Sequence, residues 1–175
     1  MKLFLIGMPG SGKTYLGRQL ANALKLKFID LDTQIEKQEH EYIKNIVKAK
    51  GEDYFRVQEN QVLKNISENK QILVSCGGGA PMYFDNLATM KKQGIVIWIN
   101  TDLSIIAERI KQNRSRRPMF DGLNDLEIDI KIANLYQIRE KFYKKADINV
   151  ELKHNLNNPL NAVIQKVMKI IRYRK

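Results

Sequence analysis

An eight-residue segment near the start of the chain constrains the fold more than any other feature of the sequence. Residues 7–14 read GMPGSGKT and match the pattern G-x-x-x-x-G-K-[ST] in full. A short apolar run precedes the segment and an amphipathic stretch follows it, which predicts a strand, a tight loop and a helix in that order. Glycines allow successive N–H groups to face phosphate oxygens, and the helix N-terminus adds a partial positive charge. The segment therefore predicts a phosphate-binding loop.

Within this loop each residue type has an expected task. Lys13 is predicted to reach the β- and γ-phosphates of a nucleotide as a catalytic point charge, and the Thr14 hydroxyl is predicted to bind Mg²⁺. The residues expected to contact the nucleotide are Gly10, Ser11, Gly12, Lys13 and Thr14. GTPases, motor ATPases and kinases of nucleotides or metabolites share such a loop, so the phosphate acceptor must be identified from the rest of the chain.

Short apolar runs alternate with longer amphipathic stretches along the rest of the chain. The runs are Leu3–Ile6, Phe28–Ile29, Ile72–Val74, Ile95–Ile99 and Ile148–Val150. This alternation predicts an α/β fold, in which a parallel sheet lies between two layers of helices. Continuous apolar runs are typical of strands that are buried on both faces. We expect one domain over residues 1–175.

The charge and the single cysteine limit the class of protein further. The net charge is +11, and residues 131–175 carry an excess of eight positive charges. A nucleic-acid-binding module with ATP as its switch is therefore one alternative, although no basic motif interleaved with aromatics is present. No apolar tract is long enough to span a membrane, and the four apolar residues before Gly7 are too few for a signal peptide. With Cys76 as the single cysteine, we expect a cytoplasmic protein without disulfides.

Two aspartates follow the second predicted strand. The carboxyl ends of parallel strands open onto the ligand crevice of an α/β sheet, and Asp30 and Asp32 project the same way if the strand stays extended. Asp30 is then expected to hold Mg²⁺ through water, and Asp32 to orient the acceptor hydroxyl or take its proton. The alternative is that one of them caps the next helix.

Three further groups are candidates for the acceptor side. Arg56 and Glu59 are three residues apart on a predicted helix, which fits either a clamp for a substrate carboxylate or an exposed ion pair, and spacing does not decide. Glycines 77–79 follow the third predicted strand, where direct contact between ligand and backbone explains them best. Arg139, on a late helix, is expected to hold a second oxygen of the acceptor.

A charged loop at about residues 112–123 has the composition of a mobile lid. It reads QNRSRRPMFDGL and joins arginines, a proline and a glycine between two helical stretches. Arg117 is expected to reach the γ-phosphate when the loop closes, which would neutralise charge and exclude water.

Taken in order, these features resemble the shikimate kinase family. The matching segments are GMPGSGKT, the DLD pair, GEDYFRVQE, the GGG turn, RRP and IREKFY, and they extend from residue 1 to about 150. The resemblance implies a nucleoside-monophosphate-kinase-like fold with a five-stranded parallel sheet. It also implies transfer of a phosphoryl group from ATP to the 3-hydroxyl of shikimate, with Mg²⁺, in the route to the aromatic amino acids.

The resemblance also implies roles for individual residues. Asp32, Arg56, Gly78, Gly79 and Arg139 correspond to the shikimate-contacting groups, Arg117 to the lid arginine and Asp30 to the outer-shell magnesium ligand. The acceptor-binding helical region would be about 32–60. Two departures concern Met119-Phe120, where smaller aliphatic residues are usual after the lid proline, and Asn157, which stands where an arginine often lies against adenine. We expect a monomer that binds neither nucleic acid nor membrane; a same-fold kinase of another acceptor, such as gluconate or a nucleotide, is the nearest alternative.

Overall fold

The chain folds into one parallel sheet with helices on both faces. The computed structural model describes residues 1–66, 71–114, 118–154 and 158–173. Its elements are β1 (Lys2–Ile6), α1 (Lys13–Ala23), β2 (Lys27–Asp30), α2 (Leu31–Glu39), α3 (Ile43–Asn65), β3 (Ile72–Ser75), α4 (Asn86–Gln93), β4 (Ile95–Thr101), α5 (Leu103–Gln112), α6 (Asp125–Tyr143), β5 (Ile148–Leu152) and α7 (Pro159–Tyr173).

The sheet contains five strands in the order β2-β3-β1-β4-β5, and every neighbouring pair is parallel. Each of the five apolar runs forms a strand, so the predicted five-stranded parallel sheet is confirmed. In the central register, Phe4 of β1 lies opposite Val74 of β3 on one side and Val96 of β4 on the other.

The expectation that all strands are buried on both faces is wrong for the two edge strands. The central strands β1, β3 and β4 are almost fully buried, whereas β2 is partly exposed. In β5, Ile148, Val150 and Leu152 are buried while Asn149 and Glu151 face solvent. An edge strand has only one neighbour, so one of its faces receives less cover from the helices.

Alternate side chains of the strands face two separate apolar layers. On one face, Phe4 and Ile6 of β1 join residues of α2 to α6. On the other, Leu3 and Leu5 pack with residues of α1 and α7, among them Leu16, Leu20, Val163 and Val167. The period of two in a strand sends neighbouring residues to opposite faces, which accounts for the α/β/α layers.

Because the strands are parallel, their carboxyl ends lie along one edge of the sheet. Gly7 follows β1, Asp30 ends β2, Ser75 ends β3 and Thr101 ends β4. The Thr101 hydroxyl donates a hydrogen bond of 2.9 Å to the carbonyl of Ser11, which ties the loop after β1 to the end of β4. The candidate site lies at this edge.

The second half of the charged loop is anchored in the core. A single turn of 3₁₀ helix covers Pro118–Phe120, and Phe120 is fully buried, whereas Met119 is 40% exposed. The large residue at position 120 thus packs into the same apolar layer as Ile128 and Ile132 of α6. Among the residues described, no helix has both the length and the apolar character needed to cross a membrane.

Candidate active site

The loop between β1 and α1 has the backbone conformation that its glycines predict. Gly7 adopts a φ of 144°, and a Cβ there would lie 2.5 Å from the carbonyl oxygen of Ile99. Gly12, with a φ of 91°, precedes the first turn of α1. Both positions therefore require glycine, one because β4 is too close and both because the φ is positive.

Lys13 is buried inside this loop. Its Nζ donates to the carbonyl oxygens of Gly7 and Met8 at 2.8 Å each and to the Ser11 hydroxyl at 3.4 Å. Only 9% of the residue is exposed. The ammonium group is held by the same loop whose N–H groups would surround a phosphate.

Three oxygen-bearing side chains meet beside the first turn of α1. The Thr14 hydroxyl donates to Asp30 Oδ2 at 3.0 Å and lies 3.5 Å from the Ser75 hydroxyl. Hydroxyl and carboxylate oxygens suit Mg²⁺, which keeps several of its own waters. Within the described ranges, no cluster of three or more His, Cys, Asp or Glu side chains forms a fuller metal cage. The set fits an ion that is shared with phosphate oxygens.

Asp30 and Asp32 do not lie on one extended strand, so strand alternation does not make them project the same way. β2 ends at Asp30, whose Oδ1 accepts from the backbone N–H of Thr33 at 3.4 Å and caps α2, while Asp32 lies in the first turn of that helix. Asp30 thus both caps a helix and contacts Thr14. Helix geometry, and not strand alternation, directs Asp32 toward the glycine turn after β3.

Asp32 is a half-buried carboxyl with a raised pKa. Burial, reinforced by the neighbouring Asp30 carboxylate, raises its pKa to about 6, although Lys13 and Arg56 act in the opposite direction. Among the described residues its Oδ1 has no hydrogen-bond partner. A carboxylate with a pKa close to neutrality is suited to accept a proton from a bound hydroxyl.

Arg56 is held by carboxylates on both sides. The helix α3 is interrupted at Gly51 (φ 85°), so that Arg56 lies on the segment that follows this break. Its Nε and Nη2 donate to Glu52 Oε1 at 3.2 and 2.8 Å, and its Nη1 donates to Glu59 Oε2 at 2.9 Å. The Arg56 side chain is 11% exposed and that of Glu59 is 0% exposed. The pair is therefore not the exposed ion pair that spacing left open.

Glu59 is the most deeply buried acid of this group. Burial raises its pKa to about 7, an increase that the Arg56 guanidinium limits and that Asp32 adds to. Its second oxygen, Oε1, has no hydrogen-bond partner in the part of the chain that the structure describes.

The three glycines after β3 each face a different charged side chain. A Cβ at Gly77 would lie 2.7 Å from Glu59 Oε1 and 3.1 Å from Asp32 Oδ1. At Gly78 it would lie 2.9 Å from Arg139 Nη1, and at Gly79 it would lie 2.8 Å from Arg56 Nη2. Because glycine has no Cβ, the two carboxylates and the two guanidinium groups can all pack against one turn of backbone. This close packing is a reason for glycine at these positions in addition to the predicted contact between ligand and backbone.

Arg139 reaches the same turn from α6. It is 5% exposed, and within the described residues its Nε has no hydrogen-bond partner. Four residues on, the Tyr143 hydroxyl donates to the carbonyl of Gly78 at 2.6 Å. Burial raises the pKa of Tyr143 to about 12, against the effect of nearby Arg139, so this donor stays protonated. α6 is thus fastened to the glycine turn beside the guanidinium.

The structure gathers the predicted acceptor residues Asp32, Arg56, Gly78, Gly79 and Arg139 around one turn beside the phosphate-binding loop. A Cβ at Gly78 would also lie 3.0 Å from Pro9 and 3.3 Å from the carbonyl of Gly7. The predicted lid arginine, Arg117, and the predicted adenine contact, Asn157, lie outside the described residues. Sequence reasoning missed the placement of Gly77, Tyr143 and Tyr83; the GGG run was the one local signal for the first of these.

The buried acids predict a pH-dependent stability. Since the pKa of Glu59 is about 7 in the folded protein and 4.5 in the reference state, the folded chain binds the extra proton between these values. The contribution of Glu59 to the free energy of unfolding therefore decreases as pH rises from about 4 to 7. We expect Glu59→Gln to gain roughly 2–3 kcal/mol relative to the parent between pH 5 and pH 8.

Urea unfolding of both proteins at the two pH values measures this difference. The exposed Glu151→Gln serves as a matched control and should show no such pH-dependent gain. A gain that is the same at pH 5 and pH 8 for Glu59→Gln would contradict the elevated pKa.

The order of the strands, the loop after β1 and the charged groups beside it define a P-loop nucleotide-binding protein of the nucleoside-monophosphate-kinase-like class. The shikimate kinase family model matches residues 9–172. A shikimate kinase from Parabacteroides distasonis is 33% identical over 171 residues, which cover 97% of this chain and 99% of the relative. The chain belongs to the shikimate kinase family.

Two solved structures show the same architecture. Shikimate kinase from Bacteroides thetaiotaomicron superimposes with a TM-score of 0.90 at 28% identity and covers 98% of each chain. Shikimate kinase from Acinetobacter baumannii, solved in complex with shikimate, superimposes with a TM-score of 0.86 at 29% identity, over 99% of this chain and 94% of that one. The predicted family and fold are confirmed.

Proposed function

We propose that this protein transfers the γ-phosphoryl group of ATP to the 3-hydroxyl of shikimate and releases shikimate 3-phosphate and ADP, a step toward chorismate and the aromatic amino acids. The observation that carries the proposal is the gathering of Asp32, Arg56 and Arg139 around the glycine turn beside Lys13, in a chain of the shikimate kinase family. The Acinetobacter baumannii relative, solved with shikimate, supports the choice of acceptor.

On the donor side, the loop from Gly10 to Thr14 holds the phosphates of ATP, and Lys13 neutralises charge on the transferring group. Thr14 and Asp30, with Ser75 beside them, are the residues that would hold Mg²⁺. When bound, the ion supplies charge neutralisation to the phosphate oxygens. Phosphoryl transfer leaves little covalent work to the protein, so positioning and electrostatics carry the catalysis.

On the acceptor side, the shikimate carboxylate pairs with guanidinium groups. Three of the five N–H groups of Arg56 are engaged by Glu52 and Glu59, which leaves one on each terminal nitrogen for a carboxylate. Arg139 supplies a second guanidinium, whose Nη1 lies beside Gly78. Gly78 and Gly79 contribute backbone to the floor of the pocket.

Asp32 orients the 3-hydroxyl of shikimate and takes its proton. The reaction requires that this oxygen approach the γ-phosphorus in line with the bond that breaks. Asp32 lies in the first turn of α2 and packs against the glycine turn that also contacts Arg56 and Arg139, so its carboxyl is placed on the acceptor side of the site. The proton passes from the hydroxyl to the Asp32 carboxylate as the new O–P bond forms.

Further assignments belong to the same proposal. Residues 1–175 form a single kinase domain, with an acceptor-binding helical region at about 32–60 that supplies Asp32 and Arg56. Arg117 and the lid at about 112–123 close over the phosphates, and Asn157 lies near the adenine. The protein works as a monomer in the cytoplasm, where ATP is available. It needs neither nucleic acid nor a membrane, because both substrates are small anions.

The direct test is ADP release with Mg-ATP over a small panel of acceptors. We expect turnover with shikimate and background release with gluconate, with a nucleoside monophosphate and with water alone. Turnover with gluconate in place of shikimate would move the protein to the alternative acceptor. Release that is stimulated by DNA or RNA and not by shikimate would instead favour the ATP-switched nucleic-acid module.

A further inference from the structure

Tyr83 touches the acceptor arginine in two ways. It follows the 3₁₀ turn Ala80–Met82, and the centroid of its ring lies 4.4 Å from Cζ of Arg56. Its hydroxyl donates to Glu52 Oε1 at 3.3 Å, the same oxygen that accepts both side-on hydrogen bonds from Arg56. The tyrosine therefore holds the guanidinium and also its carboxylate partner.

The surroundings of Arg56 leave its guanidinium little freedom. The ring of Phe55 lies 4.8 Å from Cζ, Glu52 binds one edge and Glu59 binds Nη1. A guanidinium stacked on an aromatic ring gains both cation–π attraction and a defined plane. Since an arginine side chain otherwise loses up to about 2 kcal/mol of rotamer entropy on ordering, a pre-ordered Arg56 binds a carboxylate more tightly.

The loop that carries Tyr83 is fastened to the same helix as Arg56. Asn60 of α3 donates to Asn86 Oδ1 at 2.6 Å, and Asn86 donates to the carbonyl of Ala80 at 2.9 Å. Both asparagines are buried. The segment between Ala80 and Asn86 is thus fixed at both ends, and α3 determines where the ring of Tyr83 lies.

The residue after Tyr83 has an unusual backbone conformation. Phe84 has a φ of 51°, in the left-handed region that a bulky side chain rarely adopts, and it is 62% exposed. Its own side chain therefore gains little from burial in exchange for this conformation. Backbone strain at such positions persists where the surroundings impose it, and here it turns the chain directly after the ring that covers Arg56.

We infer that Tyr83 is a positioning residue for the acceptor carboxylate, which acts by holding the Arg56 guanidinium in the plane that presents its two remaining N–H groups. The inference rests on the proposed function, since it takes Arg56 to bind the shikimate carboxylate. It assigns a positioning task to a residue that lies outside the phosphate-binding loop and contacts Arg56 and Glu52.

Steady-state kinetics of two variants test the inference. Tyr83→Leu removes ring and hydroxyl, and we expect its KM for shikimate to rise about 10-fold, with kcat and the KM for ATP within about twofold of the parent. Tyr83→Phe keeps the ring and should return the KM for shikimate to within about threefold of the parent. Ile130→Ala, at a 52% exposed apolar residue of α6, is the control for loss of an apolar side chain and should leave all three constants unchanged.

If the parent protein is active toward shikimate, either of two results would overturn the inference. One is a KM for shikimate in Tyr83→Leu that stays within twofold of the parent; the other is an equal rise in the KM values of both substrates. The parent is assayed first over the acceptor panel, so inactivity toward shikimate counts against the proposed function and not against Tyr83.

A double-mutant cycle with Arg56→Met provides a readout that needs no activity. If Tyr83 holds Arg56, the shifts of the urea midpoint caused by Tyr83→Leu and Arg56→Met will not add in the double variant. Additive shifts would overturn the inference whatever the acceptor is.

Discussion

Asp32→Asn is expected to lower kcat for shikimate by roughly two to four orders of magnitude, the range that a positioned general base contributes. Asparagine has the same shape but cannot accept the hydroxyl proton. The KM for ATP should stay near the parent value, because the contacts of Lys13 with the carbonyls of Gly7 and Met8 do not involve Asp32. The effect therefore concerns the chemical step and not nucleotide binding.

The pH profile of kcat/KM for shikimate separates this role from a structural one. The pKa of Asp32 is about 6 in the folded protein without substrates, so kcat/KM of the parent should rise with pH through that value as the carboxyl ionises. Asp32→Asn should lose this rising limb. Asp53→Asn, at an exposed aspartate of α3, is the control and should keep both kcat and the limb. Turnover near the parent value would remove Asp32 from the mechanism.

Arg56→Ala is expected to raise the KM for shikimate roughly 100-fold or more, while the KM for ATP changes by a few-fold at most. The guanidinium lies against Gly79 and lacks contact with the phosphate-binding loop among the described residues, so acceptor binding alone should suffer. Initial-rate measurements with each substrate varied in turn would show this. Equal rises in the two KM values would place Arg56 elsewhere in the reaction.

The same change removes the partner of a buried acid. Glu59 is 0% exposed, and truncation of one member of a buried pair costs about 3–5 kcal/mol because the other member stays buried without its partner. Arg56→Ala combined with Glu59→Gln removes that buried carboxyl and should recover much of the stability without recovering the KM for shikimate. Lys48→Ala, at an exposed lysine of the same helix, controls for loss of positive charge.

Much of the fold could be predicted because its signals are local. The GMPGSGKT segment constrains its own backbone, and Gly7 and Gly12 have the positive φ values that its glycines allow. The five apolar runs form the five strands. They could be predicted because a buried strand is recognisable from its own run of apolar side chains. The half-exposed edges β2 and β5 escaped prediction, since strand order decides which strands lack a neighbour.

The candidate site also has some features that the sequence predicted and others that it did not. Its residue types and their order along the chain could be read from the sequence, and so could the family, because the segments that contain Asp30, Asp32, Arg56 and Arg139 resemble the family's motifs. Lys13 and Thr14 were assigned from the loop alone.

The burial and contacts of these residues were decided by tertiary structure. Spacing could not tell whether Arg56 and Glu59 form an exposed pair, since their burial depends on Tyr83 and on the glycine turn, which lie more than 15 residues further along the chain. The position of Asp32 depended on whether β2 continued past Asp30. The raised pKa values of Asp32 and Glu59 and the orientation of the Arg56 guanidinium depend on groups that only folding brings together. The distances between those groups cannot be read from the linear sequence.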